Sequence, residues 1–504
     1  MISKKRFWGL ALPIWEFEDG SFYVVGSKEE LEELAVEGWE DFDGKSPHRP
    51  WIDKVKIKHA DTGLIGTRIL DVGNPWLDAG IVPYSTLHYN DDRTYWDKWF
   101  PGDFVVESFP GQFRNWFYSL LALSTVMEDR APFKTLLGHA LVKDETGREM
   151  HKSWGNTIWF DDAAEEIGVD VMRWMFANQN IENNLLFGYG PANEVRRKLI
   201  TLWNVYSFFA TYASVDGFSP SKSNVNNDDL TILDRWILAK SNLLIQQAVT
   251  AFDGYRVDKF IRHFEQYLDD LSNWYIRRSR RRFWKSEDDG DKQAAYHTLY
   301  HVLLTSIKII APILPFMTEE IYQNLARNSD QSSHESIHLS DYPKIDKAKI
   351  DLKLIQRVDT LRKVVELGRS ARNKAELKIR QPLAELCFHL DDNELVEFIL
   401  DQQSIVLDEL NVKIIKWVDN SNILIERKVK PNLPVIGKEN GQYLPEIKEA
   451  LVDMDDNEIL RDLNSTGEVT LQLQSNTLVL ARDAFLIDTR SKKGFSAESD
   501  KGIT

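Results

Sequence analysis

Between positions 257 and 275 the apolar side chains fall at Val257, Phe260, Ile261, Phe264, Tyr267, Leu268, Leu271, Trp274 and Tyr275. Steps of three and one in that order trace one face of a 3.6-residue repeat, so the segment predicts an amphipathic helix. The same periodicity predicts helices in TILDRWILAKSNLLIQQAVTAF, KQAAYHTLYHVLLTSIKIIAPIL, PFMTEEIYQNLA and IQRVDTLRKVVELGRSARNKAEL. The middle of the chain therefore reads as a helix bundle.

On either side the pattern changes. The first hundred residues are rich in Gly, Pro, Trp and Asp, with short alternating runs (SFYVVGS, DKVKIKH) that predict strands between turns and, taken together, connecting structure. From Phe104 to about Leu186 the order is strand, helix, strand, loop, helix, with FKTLLGHALV (133–142) as a buried strand; this predicts part of an α/β nucleotide-binding domain. A polar gap at 219–229 (SPSKSNVNNDD) precedes the bundle. Beyond Arg380-Gln381-Pro382, short β-rich runs (VKIIKWV, NILIERKV, VTLQLQ, LVLARD) alternate with acidic helices and predict a small α+β domain. The expected fold class is multidomain, α/β plus all-α, divided at 1–190, 191–385 and 386–504. No internal repeat is visible.

The length of 504 residues suits about three domains. No run approaches the roughly 20 apolar residues of a membrane-spanning helix, and the N-terminus lacks a signal-peptide pattern, which points to a cytoplasmic protein without a membrane partner. The single cysteine, Cys387, excludes an internal disulfide and a thiolate zinc cluster, and in LAELCFHL it reads as a small buried residue of a strand. A net charge of −16 gives no global field to attract nucleic acid. Any such contact must be local, and IRRSRRRFWK (276–285) provides it: Arg277, Arg278, Arg280, Arg281, Arg282 and Lys285 crowd one helix end beside Phe283 and Trp284. A solvated helix terminus is the competing reading, because cations are favoured there without any RNA.

The chemistry-bearing segment is 148–156 (REMHKSWGN), one lysine and one serine beside a glycine turn and directly before a helix-like segment. A held amine suits a nucleotide's phosphates, because it offsets charge that develops when pyrophosphate is displaced. In isolation the segment could equally be a surface turn. With its context it resembles the second signature of class I aminoacyl-tRNA synthetases, the lysine-methionine-serine-lysine-serine loop: Met150, His151, Lys152 and Ser153 align, while Glu149 stands where the family has its first lysine. By that resemblance Lys152 and Ser153 are catalytic, and all four residues bind ATP. Pro75-Trp76-Leu77-Asp78-Ala79-Gly80 is similar to a strand end of the family. Glu107 with Gln112-Phe113-Arg114-Asn115-Trp116-Phe117 is similar to its adenylate-contacting segment, although the Glu-to-Gln gap is one residue longer and Gly111 replaces an aspartate. The resemblance thus assigns Trp76, Asp78, Glu107, Gln112 and Trp116 to the amino acid and its adenylate.

The helix end 271–284 and RNKAELKIRQPL (372–383) resemble the anticodon-binding domain of isoleucine-type members, with the valine type as the alternative. The resemblance implies isoleucine, ATP with Mg2+ as its substrate complex, and tRNA(Ile) as partners, with Arg277, Arg278, Arg280, Arg281, Arg282 and Lys285 on phosphates and Trp284 or Phe283 stacked on a base. The opening residues, ISKKRFWGLALPIW, resemble the family's re-entry from its editing insertion, but EFEDG (16–20) lacks the zinc-binding cysteine pair. None of the 11 histidines forms the family's first phosphate signature, H-x-G-H. The chain is therefore expected to be a partial synthetase, inactive by itself, whose partner is the missing N-terminal catalytic half; the alternative is a non-catalytic tRNA-binding module. His334-Glu335-Ser336-Ile337-His338 matches a zinc-protease pattern, but the polar loop before it and the proline after it leave no room for the helix that pattern needs, so no metal site is expected. His297 and His301 read as partly buried structural residues.

Overall fold

The computed structural model describes residues 3–504 except 221–226, 288, 475 and 493; Ile2 and most of the polar gap at 219–229 lie outside the described residues. The segment expected to be connecting structure is an antiparallel sheet. Strands β1 (Ile14–Glu16), β2 (Phe22–Val24), β3 (Ala35–Glu37), β4 (Lys56–Lys58) and β5 (Ile65–Arg68) lie in the order β2-β1-β5-β4-β3. They enclose a core of Trp15, Phe17, Val25, Phe42, Val55 and Ile57. Trp15 Nε1 donates to the Val55 carbonyl at 2.8 Å, and the buried Arg68 is met by Asp53 at 2.5 Å. Strands of three or four residues show too little alternation to be read as a sheet, which explains the difference.

Pro75 to Gly80, expected at a strand end, instead opens helix α1 (Pro75–Ser85). The Asn74 side chain accepts from the Trp76 N–H at 3.1 Å, and Pro75 occupies the first turn, where its missing N–H costs nothing. The strand–helix–strand order that follows is as expected: β6 (Gly102–Ser108), α2 (Trp116–Glu128) and β7 (Phe133–His139), with β6 and β7 parallel from Gly102 opposite Phe133 to Ser108 opposite His139. Gly80 lets α1 and α2 approach, since a Cβ there would lie 2.8–2.9 Å from Leu123 and Ser119. The layer is not buried as expected, because it has only two strands: Phe104, Val106 and Leu136 are 41%, 44% and 36% exposed.

Beyond β7, the short strand β8 (Val142–Asp144) pairs parallel with β9 (Leu185–Phe187), and α3 (Phe160–Glu166) and α4 (Val169–Ala177) lie between them. Helix α5 (Tyr189–Asp216) leads into the bundle of α6 (Ile232–Asp253), α7 (Val257–Asp269), α8 (Arg277–Trp284), α9 (Gly290–Ile310), α10 (Pro315–Tyr322) and α11 (Leu352–Lys374). The stripe read from 257–275 is the inner face. It continues from α7 through a π-helical turn (Asp270–Ile276) into α8, with Phe260, Ile261, Leu271 and Tyr275 fully buried. Each such side chain stabilises the fold by about 1.5–3 kcal/mol. A capping box between Thr231 and Asp234 starts α6.

Strands β10 (Leu383–Phe388) and β11 (Val412–Trp417) are parallel, joined by α12 (Asn393–Asp401) and α13 (Gln403–Leu410), and share the bundle's core through Phe388, Ile399, Val406 and Leu410. The expected 386–504 unit is divided, since residues 383–417 join the bundle's core and a separate α+β core begins beyond them. Antiparallel pairs β12 (Ile425–Pro431) with β15 (Phe485–Ser491), and β13 (Glu468–Gln472) with β14 (Thr477–Ala481), pack with α14 (Leu433–Asn440), α15 (Leu444–Asp453) and α16 (Asp456–Ser465) around Ile436, Ile447, Val469 and Leu471. No helix among the described residues is long and apolar enough to cross a membrane.

Candidate functional site

Parallel strands leave a crevice at their carboxyl ends, where Glu107 and Ser108 end β6 and His139 ends β7. The Lys152 loop leaves it, since only Ala140 and Leu141 separate β7 from β8. Asp144 anchors the loop. Its carboxylate accepts from the Thr146 N–H (3.0 Å) and hydroxyl (2.7 Å), the Arg148 N–H (2.8 Å) and Asn156 Nδ2 (2.8 Å). These donors, Asn156 first, favour the ionised form and hold its pKa at about 2. Asn156 also donates to the Glu149 carbonyl at 2.9 Å and accepts from the His151 N–H at 3.0 Å. One side chain therefore pins both sides of the loop.

Gly147 (φ +85°) and Gly155 (φ +71°) supply the left-handed corners, and Lys152, Ser153 and Trp154 form one 3-10 turn between them. Contrary to the expectation from sequence, the following helix does not adjoin this turn; α3 starts at Phe160 because Gly155 ends the turn and an extended link follows. Lys152 is exposed, and its Nζ lies 4.6 Å from the Trp159 ring centroid, with no carboxylate partner among the described residues. A cation resting on a ring face is available to a stronger anion. His151 lies 4.3 Å from the Trp154 ring and 3.4 Å from Glu149 Oε2, so Glu149 faces the histidine. Ser153 is exposed and Met150 half-buried. Asn156 and Trp159 were not legible as loop-setting residues, since asparagine after glycine and tryptophan before a helix are ordinary loop chemistry.

A second cluster stands on the same edge. Glu107 Oε1 accepts from the Ser108 N–H at 2.8 Å, and Gln112 Oε1 caps α2 by accepting from the Trp116 N–H at 3.1 Å. Trp116 Nε1 donates to the Ala79 carbonyl at 3.2 Å, which places it against the first turns of α1, where Trp76 and Asp78 also lie half-buried. One oxygen of Asp78 is buried without a hydrogen-bond partner among the described residues, and burial raises its pKa. Arg114 is exposed.

The arginine cluster divides into two groups. Arg277 and Arg278 share Glu409 of α13 at 2.7 and 3.1 Å, joined there by Arg369. Arg282 bonds the buried Asp234 at 2.9 Å, beside the Tyr275 hydroxyl at 2.6 Å, and Lys285 bonds Asp289 and Asp291. These four cations are committed within the fold rather than offered together to RNA, because buried carboxylates require counter-charges. Phe283 is 2% exposed and cannot stack on a base, a correction to the sequence reading. Arg372 is also buried, its Nη2 closing the turn of Lys378 and Gln381. Arg280, Arg281 and the 55%-exposed Trp284 form the open face, with no acidic partner for either arginine among the described residues. His334 to His338 span no regular α-helix; a 3-10 turn covers Ile337–Leu339, and His338 bonds the Pro315 carbonyl. His297 packs edge-on against Phe218, and His301 reaches the surface but is crowded enough that desolvation lowers its pKa.

Two family models match: tRNA synthetases class I (I, L, M and V) over residues 1–187, and the anticodon-binding domain of tRNA ligase over 234–387. The isoleucine–tRNA ligase of Clostridium tetani is 38% identical over 509 residues, covering 100% of this chain and 48% of the relative. That of Pyrococcus abyssi is 34% identical over 524 residues, covering 100% and 48%. The chain spans about half the length of the curated relatives it matches. Among solved structures, the Agrobacterium radiobacter LeuRS–tRNA–LeuAMS ternary complex shares the fold at TM-score 0.51 and 16% identity, over 69% of this chain and 42% of that one. Residues 1–187 thus match the class I (I, L, M and V) tRNA synthetases and residues 234–387 the anticodon-binding domain of tRNA ligases, and the chain aligns along its whole length with isoleucine–tRNA ligases.

Proposed function

We propose that this chain carries the triphosphate loop and the tRNA-binding bundle of an isoleucine–tRNA ligase, the enzyme that activates isoleucine with ATP and passes it to tRNA(Ile). The observation that carries the reading is the Asn156-pinned loop at the carboxyl edge of β6 and β7, with Lys152 held only by the face of Trp159. When the isoleucine carboxylate attacks the α-phosphorus, negative charge gathers on the departing pyrophosphate. Lys152 moves from Trp159 to those oxygens, and Ser153 adds a hydroxyl donor. Mg2+ arrives with ATP as its substrate complex. Trp76 and Trp116 wall the aliphatic pocket, while Asp78, Glu107 and Gln112 supply polar groups to the adenylate. Arg280 and Arg281 take tRNA phosphates, and Trp284 offers a stacking face. That both relatives named above are isoleucine enzymes favours isoleucine over valine.

The reading also requires a second α/β element. Parallel sheets bury both faces, yet β6 and β7 expose Phe104, Val106 and Leu136, and α2 exposes Tyr118, Leu121 and Val126. The partner that covers them is the N-terminal catalytic half with the first phosphate signature. The test is single-turnover adenylation with that half supplied in cis or in trans. Lys152→Ala is expected to slow the step by about 100-fold or more, with isoleucine binding unchanged. An unchanged rate refutes the loop as the ATP site.

A further inference from the structure

A cavity of about 400 Å³ opens between α11, β10 and residues 494–504, remote in sequence from the Lys152 loop and the exposed arginines. That volume falls in the range of small-molecule sites, roughly 300–1,000 Å³. Its lining is mainly apolar, with Arg372, Glu385 and Glu498 as its charged members. Arg372 is 5% exposed, and only its Nη2 is engaged, donating to the carbonyls of Lys378 (2.7 Å) and Gln381. Nε and Nη1 have no hydrogen-bond partner among the described residues. A guanidinium has five N–H donors, so three of them lack an acceptor.

The groups that could neutralise Arg372 are committed elsewhere. Of the two glutamates lining the cavity, Glu385 pairs with Lys416 at 2.5 Å and Glu498 with Lys374 at 3.1 Å. The Thr504 main chain pairs with that of His389. A buried guanidinium without a counter-charge is among the costliest arrangements a fold can hold, and an incoming anion relieves it.

We propose that this cavity binds a small organic monoanion with a short aliphatic body, its carboxylate accepting from the unpartnered Nη1 of Arg372 and its chain against the aliphatic wall. Cys387, the only cysteine, lines the same cavity and reports on its occupancy. The experiment follows alkylation of Cys387 by iodoacetamide in the full chain with hexanoate, hexan-1-ol or inorganic phosphate. Hexanoate is expected to slow alkylation with an affinity about tenfold or more above that of hexan-1-ol, the worth of a charge-assisted bond. Arg372→Gln should abolish that preference. Ala371→Phe, which fills the cavity from α11 and leaves the guanidinium's own turn intact, should abolish protection even if Arg372→Gln does not fold. Equal protection by acid and alcohol would make the cavity a mere apolar void. Protection by phosphate as strong as by hexanoate, no protection by any probe, or protection that persists in Ala371→Phe would equally overturn the assignment.

Discussion

The helical bundle and the β6–α2–β7 layer are built from equally apolar sequence, but they bury it differently. Between positions 232 and 310 only Tyr255 and Trp284, among the described residues, are large apolar side chains left exposed, while Tyr275, Tyr296, Leu299 and Leu303 reach zero exposure. In the layer, Val106, Phe113, Tyr118, Leu121 and Val126 are exposed, and Phe104 stacks on Tyr255 between α6 and α7. The bundle's polar groups show the same contrast, with Asp234, Asp258 and Asp270 buried and each met by cations. In the layer, Glu128 pairs with a half-exposed Arg93. A unit that satisfies its own apolar and charged groups stands alone; one that leaves both a sheet face and a strand edge open is half of something.

Three substitutions or titrations test the contrast. The largest effect comes from Asp234→Ala, which takes the acceptor from the buried Tyr275 hydroxyl and leaves Arg282 with Asp291 as its counter-charge. We expect a loss of about 3–5 kcal/mol in denaturant unfolding of the bundle. A loss below about 1 kcal/mol, the size expected for an exposed pair such as Lys134–Asp103, would mean that the bundle's charges are not structurally committed.

Next is the double charge reversal Arg280→Glu with Arg281→Glu. It should flatten the log–log salt dependence of tRNA binding by roughly 0.7 to 0.9 for each phosphate that is no longer neutralised, without unfolding. An unchanged slope would reduce the pair to a solvated helix end.

The smallest effect is confined to the Lys152 loop. Asp144 has a folded pKa of about 2, below its ordinary 3.8. A depressed carboxylate pKa favours the folded loop at pH above the unfolded value, and that contribution fades as pH falls through the folded one. The Arg148 amide, followed by NMR titration, should therefore keep its bonded shift at about pH 5 and lose it only as pH approaches about 2. Loss of the bonded shift already complete at about pH 4 would contradict the Asn156 and Thr146 clamp.

How much of this was legible follows from the range of each interaction. The stripe from Val257 to Tyr275 is local, repeats over about five turns and was readable without a partner. The five-strand sheet around Trp15 was not, because three-residue strands carry no period. Helix α1 did announce itself through Asn74 and Pro75, a cap and first-turn proline that outrank the strand reading. The motif around Lys152 was legible as a loop, but its clamp was not: Asn156 acts on Asp144, twelve residues back, through a fold of the loop that no spacing rule describes. The arginine cluster was visible as charge and invisible as a partition, since Glu409 and Asp234 lie 132 and 48 residues from their partners.

The bundle buries its apolar face, while the β6–α2–β7 layer leaves apolar surface open. Isoleucine-dependent ATP–pyrophosphate exchange measures that difference most directly, run on this chain alone and then with the N-terminal half of an isoleucine–tRNA ligase added. No exchange is expected from the chain alone, and exchange is expected on addition of the half. Robust exchange by the chain alone would contradict this.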